Sequence, residues 1–232
     1  MNKDKINYDK RKIINFFNEK KFYKISKISK SIINYHQNDL DIWKIVIASE
    51  INLKNYFKAE QYLKKILLKK NTSEINYLHG NVLKAQNKDE DAINAYKVAI
   101  SLDKKFSEAY NNLANTQKKI NRIEDAIINY KKAIENKKNN IEAYYNLANL
   151  LKSEKKYIEA IENYKKATEL NENFSEAYNN IGSIYSMLGK FKDSIKYFEL
   201  AIEKDNFFID SYKNYMLAKK IQNDDKIFLK LK

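Results

Sequence analysis

Apolar, small and polar positions recur along this chain at a fixed interval of 34 residues. Large aromatics stand at Tyr110, Tyr144, Tyr178 and Tyr212, and again at Tyr96, Tyr130, Tyr164 and Phe198. Small residues keep the same interval at Ala92, Ala126, Ala160 and Ser194, and at Ala99, Ala133, Ala167 and Ala201. Separate aromatic and small columns at this period are the mark of stacked helix pairs rather than of one globular core. Within one interval, Tyr110, Leu113, Ala114 and Gln117 follow helical spacing on a first helix. Ile123, Ala126, Ile127, Tyr130, Ala133 and Ile134 form the apolar stripe of a second, with Asn121 and Arg122 as the tight connection. The pattern therefore predicts an all-α solenoid of antiparallel helix pairs.

The small column sets the register of five units, 40–72, 73–106, 107–140, 141–174 and 175–208. A degenerate basic helical unit precedes them at 1–39, and 209–232 reads as a C-terminal capping helix and tail. Where two helices approach to about 8–10 Å, the position facing the partner backbone must be small, and an aromatic a turn away fills the wedge left by the crossing angle. Ala114, Ala148 and Gly182 serve this purpose on first helices. Ser73, Ser107 and Ser175 fall where first helices begin, which predicts hydroxyl caps for otherwise unpaired N–H groups. Acidic steps such as Glu90-Asp91, Glu124-Asp125 and Asp224-Asp225 are expected at helix starts, where carboxylates meet the positive end of the dipole.

These columns resemble the tetratricopeptide repeat family. The matching segments are YNNLAN with EDAIINYKKAI (110–134), YYNLAN with IEAIENYKKAT (144–168), and YNNIGS with KDSIKYFELAI (178–202). Residues 40–72 fit with Trp43 at the opening aromatic position and Ala59 at the small one, while 1–39 fit through Phe22, Tyr23, Ile25 and Ile32. The resemblance implies a right-handed superhelical solenoid that binds proteins or peptides. The family commonly closes each second helix with Pro, yet this chain has Asn71, Lys104, Lys138, Glu172 and Asn206 in that column. Helix termination then rests on Asn-rich loops such as Asn139-Asn140 and Asn171-Glu172-Asn173.

Two further columns are polar. Asn112, Asn146, Asn180 and Asn214 form one; Asn81, Asn115 and Asn149, followed by Ser183, form the other. At 100° per residue, Asn112 and Asn115 straddle the direction opposite the Tyr110, Leu113 and Ala114 stripe, so both are expected to face away from their own pair. An asparagine offers one acceptor and one donor, which matches a peptide backbone without reading its side chains. With repeats about 10 Å apart and an extended peptide advancing about 3.3 Å per residue, one rung would meet about every third residue. The arrangement resembles the asparagine ladder in the repeat arm of O-GlcNAc transferases. Chaperone-binding clamps need Lys or Arg near this face, whereas Glu108, Glu142 and Glu176 occupy part of it here, which argues against a carboxylate clamp.

Composition narrows the chemistry. There is no Cys and no Pro, so no disulfide framework, thiolate metal site or proline-marked linker is expected. His36 and His79 lie far apart in the repeat register without metal-ligand spacing, and no Gly-rich loop, Ser-His-Asp set or HExxH motif occurs. No catalytic role, cofactor or metal is therefore expected. The net charge of +14 is concentrated at the start: residues 1–72 carry 17 Lys/Arg against 7 Asp/Glu, and 73–232 carry 27 against 23. Nucleic acid is one partner such an excess could meet, but Arg occurs only at positions 11 and 122. Dedicated phosphate readers use more of it, and codon bias toward Lys, Asn and Ile is the simpler account. Trp43, Tyr23, Phe57 and Tyr62 could stack on bases in this basic region, yet the spacing assigns Trp43 and Phe22 to packing columns. The opening MNKDKINYDKRKIINFF has no uninterrupted apolar core, and no apolar run approaches the roughly 20 residues a bilayer requires, so a cytoplasmic protein is expected.

The expectation is a protein-interaction scaffold that binds an extended peptide or partner protein on a concave, Asn-lined face. Two other readings stay open: a basic RNA-associated helical repeat, and the recognition arm of a glycosyltransferase-like or sulfotransferase-like enzyme. The latter draws on LAKKIQNDDKIF (217–228), which resembles the junction between such repeats and a sulfotransferase domain in bacterial proteins.

Overall fold

The computed structural model describes residues 3–230, and the side chains of 10–223. Among the described residues all regular structure is helical: α1 (Lys3–Asn18), α2 (Phe22–Tyr35), α3 (Leu40–Asn52), α4 (Tyr56–Leu67), α5 (Ser73–Ala85), α6 (Asp89–Leu102), α7 (Ser107–Lys119), α8 (Ile123–Asn136), α9 (Ile141–Ser153), α10 (Tyr157–Leu170), α11 (Ser175–Met187), α12 (Phe191–Lys204) and α13 (Ile209–Lys230). The chain forms two compact units, Met1–Thr116 and Gln117–Lys232.

In the first unit, α1 packs on α2 and α3, and each helix from α2 to α5 packs on its successor. Trp43 is only 2% exposed and meets Tyr62 edge-on at 6.3 Å, so both are core residues, as the spacing of Trp43 requires. Two buried carboxylates tie successive pairs together. Glu50 accepts from Ser26 of α2 at 3.1 Å and from Asn55 at 3.0 Å, and pairs with Lys58 of α4 at 2.6 Å. Glu60 of α4 pairs with Lys64 and with Lys88, at 2.6 and 2.9 Å, and accepts from Gln86. Ala92, Tyr96 and Ala99 are fully buried where α6 closes on α5.

The second unit repeats the same logic. α9 packs on α10, α10 on α11, α11 on α12, and α13 on both α12 and α11. Ala126, Tyr130, Ala133, Ala160, Tyr164, Ala167, Ser194, Phe198 and Ala201 are all buried, as their columns require. A Cβ added to Gly182 would lie 2.7 Å from the Phe198 ring, and one added to Gly80 in the first unit 2.5 Å from Tyr96. The small positions are therefore dictated by ring contact. The opening aromatic column is looser: Tyr110 is buried, Tyr144 and Tyr178 are half-buried, and Tyr212 is exposed.

Local punctuation differs from expectation in three places. Thr72, not Ser73, caps α5 by accepting from the Ile75 N–H, and Ser175 donates to its neighbour Glu176 at 3.3 Å instead of capping α11. Asp224-Asp225 lies inside α13 rather than at a helix start. Second helices lacking Pro stop at Asp103, Asn171 and Asp205, whose carboxylate or amide oxygen accepts an N–H two residues on, at 2.9, 3.1 and 2.9 Å. Of these three, Asn171 lies in an Asn-rich loop that the sequence itself marks as a stop. The acidic steps at 90–91 and 124–125 do open α6 and α8.

α13 continues as one helix to Lys230, so the backbone of 217–228 does not fold back on itself. It leaves Ile209, Met216 and Leu217 exposed. The side chains of Ile227 and Phe228, and all of Leu231, fall outside the described residues. Among the described residues no helix is long and apolar enough to cross a membrane.

Candidate functional site

The two asparagine columns are half-buried, and the fold uses their amides. In the first unit, Asn112 of α7 donates through Nδ2 to the Tyr77 hydroxyl at 3.0 Å and to Asn81 Oδ1 at 2.8 Å, both on α5. Asn81 Oδ1 also accepts from the Tyr96 hydroxyl of its own second helix at 2.7 Å. A single asparagine oxygen thus joins the two helices of one pair to the first helix of the next.

The second unit carries the same motif. Asn180 of α11 donates to the Tyr145 hydroxyl of α9 at 3.3 Å and reaches Asn149 Oδ1 at 3.5 Å, while Asn149 accepts from Tyr164 at 2.6 Å. Asn214 of α13 donates to Asn179 Oδ1 of α11 at 3.0 Å. Asn115 and Asn146 also have partners. The expectation that both columns face away from their own pair is therefore corrected at Asn81 and Asn149, which point to a tyrosine on the second helix of that pair. The Tyr110, Leu113 and Ala114 stripe faces one neighbour, whereas each first helix also bonds to the adjoining pair.

Sequence reasoning missed the receiving column, although its signal was present. Positions 77 and 145 are Tyr while 111 and 179 are Asn, so the acceptor alternates from repeat to repeat. Tyr77 and Tyr145 are held by matching clusters, with Tyr96 at 6.1 Å and Phe106 at 5.0 Å in one, Tyr164 at 5.7 Å and Phe174 at 4.6 Å in the other. A further covariation appears where position 198 is Phe: with no hydroxyl to receive, position 183 is Ser, which donates instead to the Asn179 carbonyl at 2.9 Å.

The electrostatics of the row follow from burial. Burial pushes the phenols of Tyr96 and Tyr164 well above their ordinary range, so both remain neutral donors. Lys152 of α9 donates from Nζ to Asn180 Oδ1 at 2.9 Å, and burial lowers its pKa. Asn180 is thus held at both ends of its amide. Among the described residues no group of three or more His, Cys, Asp or Glu is placed to hold a metal ion. Among the described residues, His36 and His79 each have a buried Nε2 with no hydrogen-bond partner, and burial lowers the pKa of His79.

One model described as TPR repeat matches residues 80–121 and 148–189, and three described as tetratricopeptide repeat match 107–140, 129–162 and 175–207. Together they run without a gap from 80 to 207, more than half of the chain. No curated protein matches the sequence. Among solved structures, MamA is 28% identical with a TM-score of 0.66, over 69% of this chain and 95% of MamA. The C-terminal part of a TPR repeat-containing protein from Cytophaga hutchinsonii is 19% identical with a TM-score of 0.70, over 84% and 78% of the two chains. YrrB, described as a TPR protein with an unusual peptide-binding site, is 18% identical with a TM-score of 0.64, over 82% of this chain and 97% of YrrB. The latter two likenesses speak to fold alone. With its small and aromatic columns buried as required and its repeats matched in series, the chain belongs to the tetratricopeptide repeat family.

Proposed function

We propose that this chain is a protein-interaction scaffold that holds an extended polypeptide segment on the asparagine-bearing face of its first helices. Membership of a repeat family whose members bind proteins or peptides supports the scaffold role, and the peptide-binding site named for YrrB is in keeping with it. In the first unit the contacts would come from Asn112, with Asn81 and Asn115; in the second they would come from Asn146, Asn180 and Asn214, with Asn149.

The observation that carries the reading is the fixed orientation of Asn112. Its amide nitrogen is committed to Tyr77 and Asn81, so the group left for a ligand is the carbonyl Oδ1. A fixed carbonyl accepts a backbone N–H without regard to the side chain that follows. In the second unit the carbonyl of Asn180 is covered by Lys152, so a ligand there must displace an ammonium group. No catalytic step enters this reading.

The test is capture from a displayed library of unstructured peptides. Wild-type protein should enrich extended sequences with little side-chain consensus, and the variant with Asn112→Ala, Asn146→Ala and Asn180→Ala should lose that capture while keeping its helical content. Equal enrichment by the triple variant would overturn the proposal.

A further inference from the structure

The basic N-terminal part of the first unit presents a second surface, distinct from the asparagine row. Tyr23 and Phe57 occupy equivalent positions one repeat apart, each the second residue of its helix, and they are 70% and 72% exposed. The turns before them place Lys20 and Lys54 at φ 55° and 60°. The two helix starts are joined, because Lys58 of α4 donates to the Ser26 carbonyl and hydroxyl of α2 at 3.1 and 3.0 Å. Two open rings thus stand at equivalent ends of helices that Lys58 and Ser26 tie together.

The charge around these rings is of one sign. α2 holds Lys24, Lys27 and Lys30 and no acidic residue. Lys20, Lys24, Lys27 and Lys54 are exposed and have no ion pair among the described residues. The acids nearby are spent: Glu19 pairs with Lys21 at 2.6 Å, and Glu50 is buried against Lys58. At the equivalent place in the next repeat, α6 opens with Asp89, Glu90 and Asp91, which ends the strip.

We infer that this edge binds single-stranded nucleic acid, the bases stacking on Tyr23 and Phe57 and the phosphates meeting the surrounding lysines. Alternating rings and cations are what a sequence-tolerant single-strand site consists of. Lysine suits it, as a point charge that follows a backbone without fixing its geometry. An acidic peptide would use the lysines but leave both ring faces idle. A bilayer would need a broad aliphatic surface to insert, and α2 turns Ile25, Ile32 and Ile33 inward to the core, leaving Ile28 as its one exposed aliphatic side chain. The acidic start of α6 limits the footprint to α1–α4, a handful of nucleotides.

The experiment is fluorescence anisotropy of labelled oligouridylate with the full chain over a series of salt concentrations. Two variants accompany it, one with Tyr23→Ala and Phe57→Ala, the other with Lys20→Gln, Lys24→Gln and Lys54→Gln. The wild type should bind with salt-dependent affinity. The ring variant should weaken binding about tenfold per ring with an unchanged salt slope, and the lysine variant should flatten the slope. All these residues are exposed, so unchanged circular dichroism should confirm folding in each variant. Wild-type affinity in the ring variant, no binding at low salt, or equal displacement by polyglutamate or by phosphatidylserine vesicles would overturn the inference.

Discussion

Tyr96 and Asn81 offer a test of whether the polar row is a structural joint as well as a surface. The Tyr96 hydroxyl, on a fully buried ring, donates to Asn81 Oδ1 at 2.7 Å, and the same oxygen accepts from Asn112 at 2.8 Å. Tyr96→Phe removes one neutral hydrogen bond and leaves Asn81 satisfied, so it should cost about 0.5–1.5 kcal/mol. Asn81→Ser strands the buried hydroxyl, while Asn112 keeps Tyr77, so it should cost about 1–3 kcal/mol. In the double variant no orphan remains, since a serine at this place can donate to its own helix, as Ser183 does beside Phe198. Tyr96→Phe should therefore be neutral or stabilising in the Asn81→Ser background, with a coupling of about 1–2 kcal/mol. Equilibrium urea unfolding followed by far-UV circular dichroism measures all four proteins, provided the slope m is common to them. Equal costs of Tyr96→Phe in both backgrounds would refute the argument.

Four other outcomes are expected. Burial opposes ionisation of Glu60, but hydrogen bonds from Lys64, Lys88 and Gln86 outweigh it and hold its pKa at about 2, below the ordinary 4.5. With the folded pKa depressed, its contribution, at most about 3 kcal/mol, is present above pH 4.5 and is lost as pH falls toward 2; acid titration of stability in Glu60→Gln should lack that segment. Gly182→Ala should cost about 1–2 kcal/mol in urea unfolding despite its better helix propensity, because the added Cβ meets the Phe198 ring at 2.7 Å. Lys155, at φ 58°, occupies the turn position that Gly189 fills at φ 71°, so Lys155→Gly should raise stability by about 0.5 kcal/mol, read as a higher denaturation midpoint. Lys152→Met should free the Asn180 carbonyl and strengthen capture of the selected peptides in titration calorimetry.

The packing columns were legible because their cause is local and repeated: Ala160 and Tyr164 are buried wherever the same helix crossing recurs. The asparagine columns were legible as columns but not as contacts. Asn112 meets Tyr77 across 35 positions and Asn81 across 31, and a helical wheel centred on one stripe has no place for the adjoining pair. The joint change to Phe198 and Ser183 is present in the sequence, yet its meaning requires knowing that these positions touch. In the sequence Tyr23 and Phe57 belong with Trp43 to one basic, aromatic stretch; only the structure separates the buried indole from the two open rings. The left-handed lysines at 20, 54 and 155 gave no signal either, since Lys carries no preference that marks such a turn.

The central claim is that a fixed row of side-chain carbonyls recognises the backbone of an extended peptide. An N-methyl scan along a captured peptide, set against an alanine scan of the same peptide, tests it most directly. The account predicts losses of affinity at about every third N-methylated residue, with the alanine scan nearly flat. Strong losses on alanine substitution with a silent N-methyl scan would contradict it.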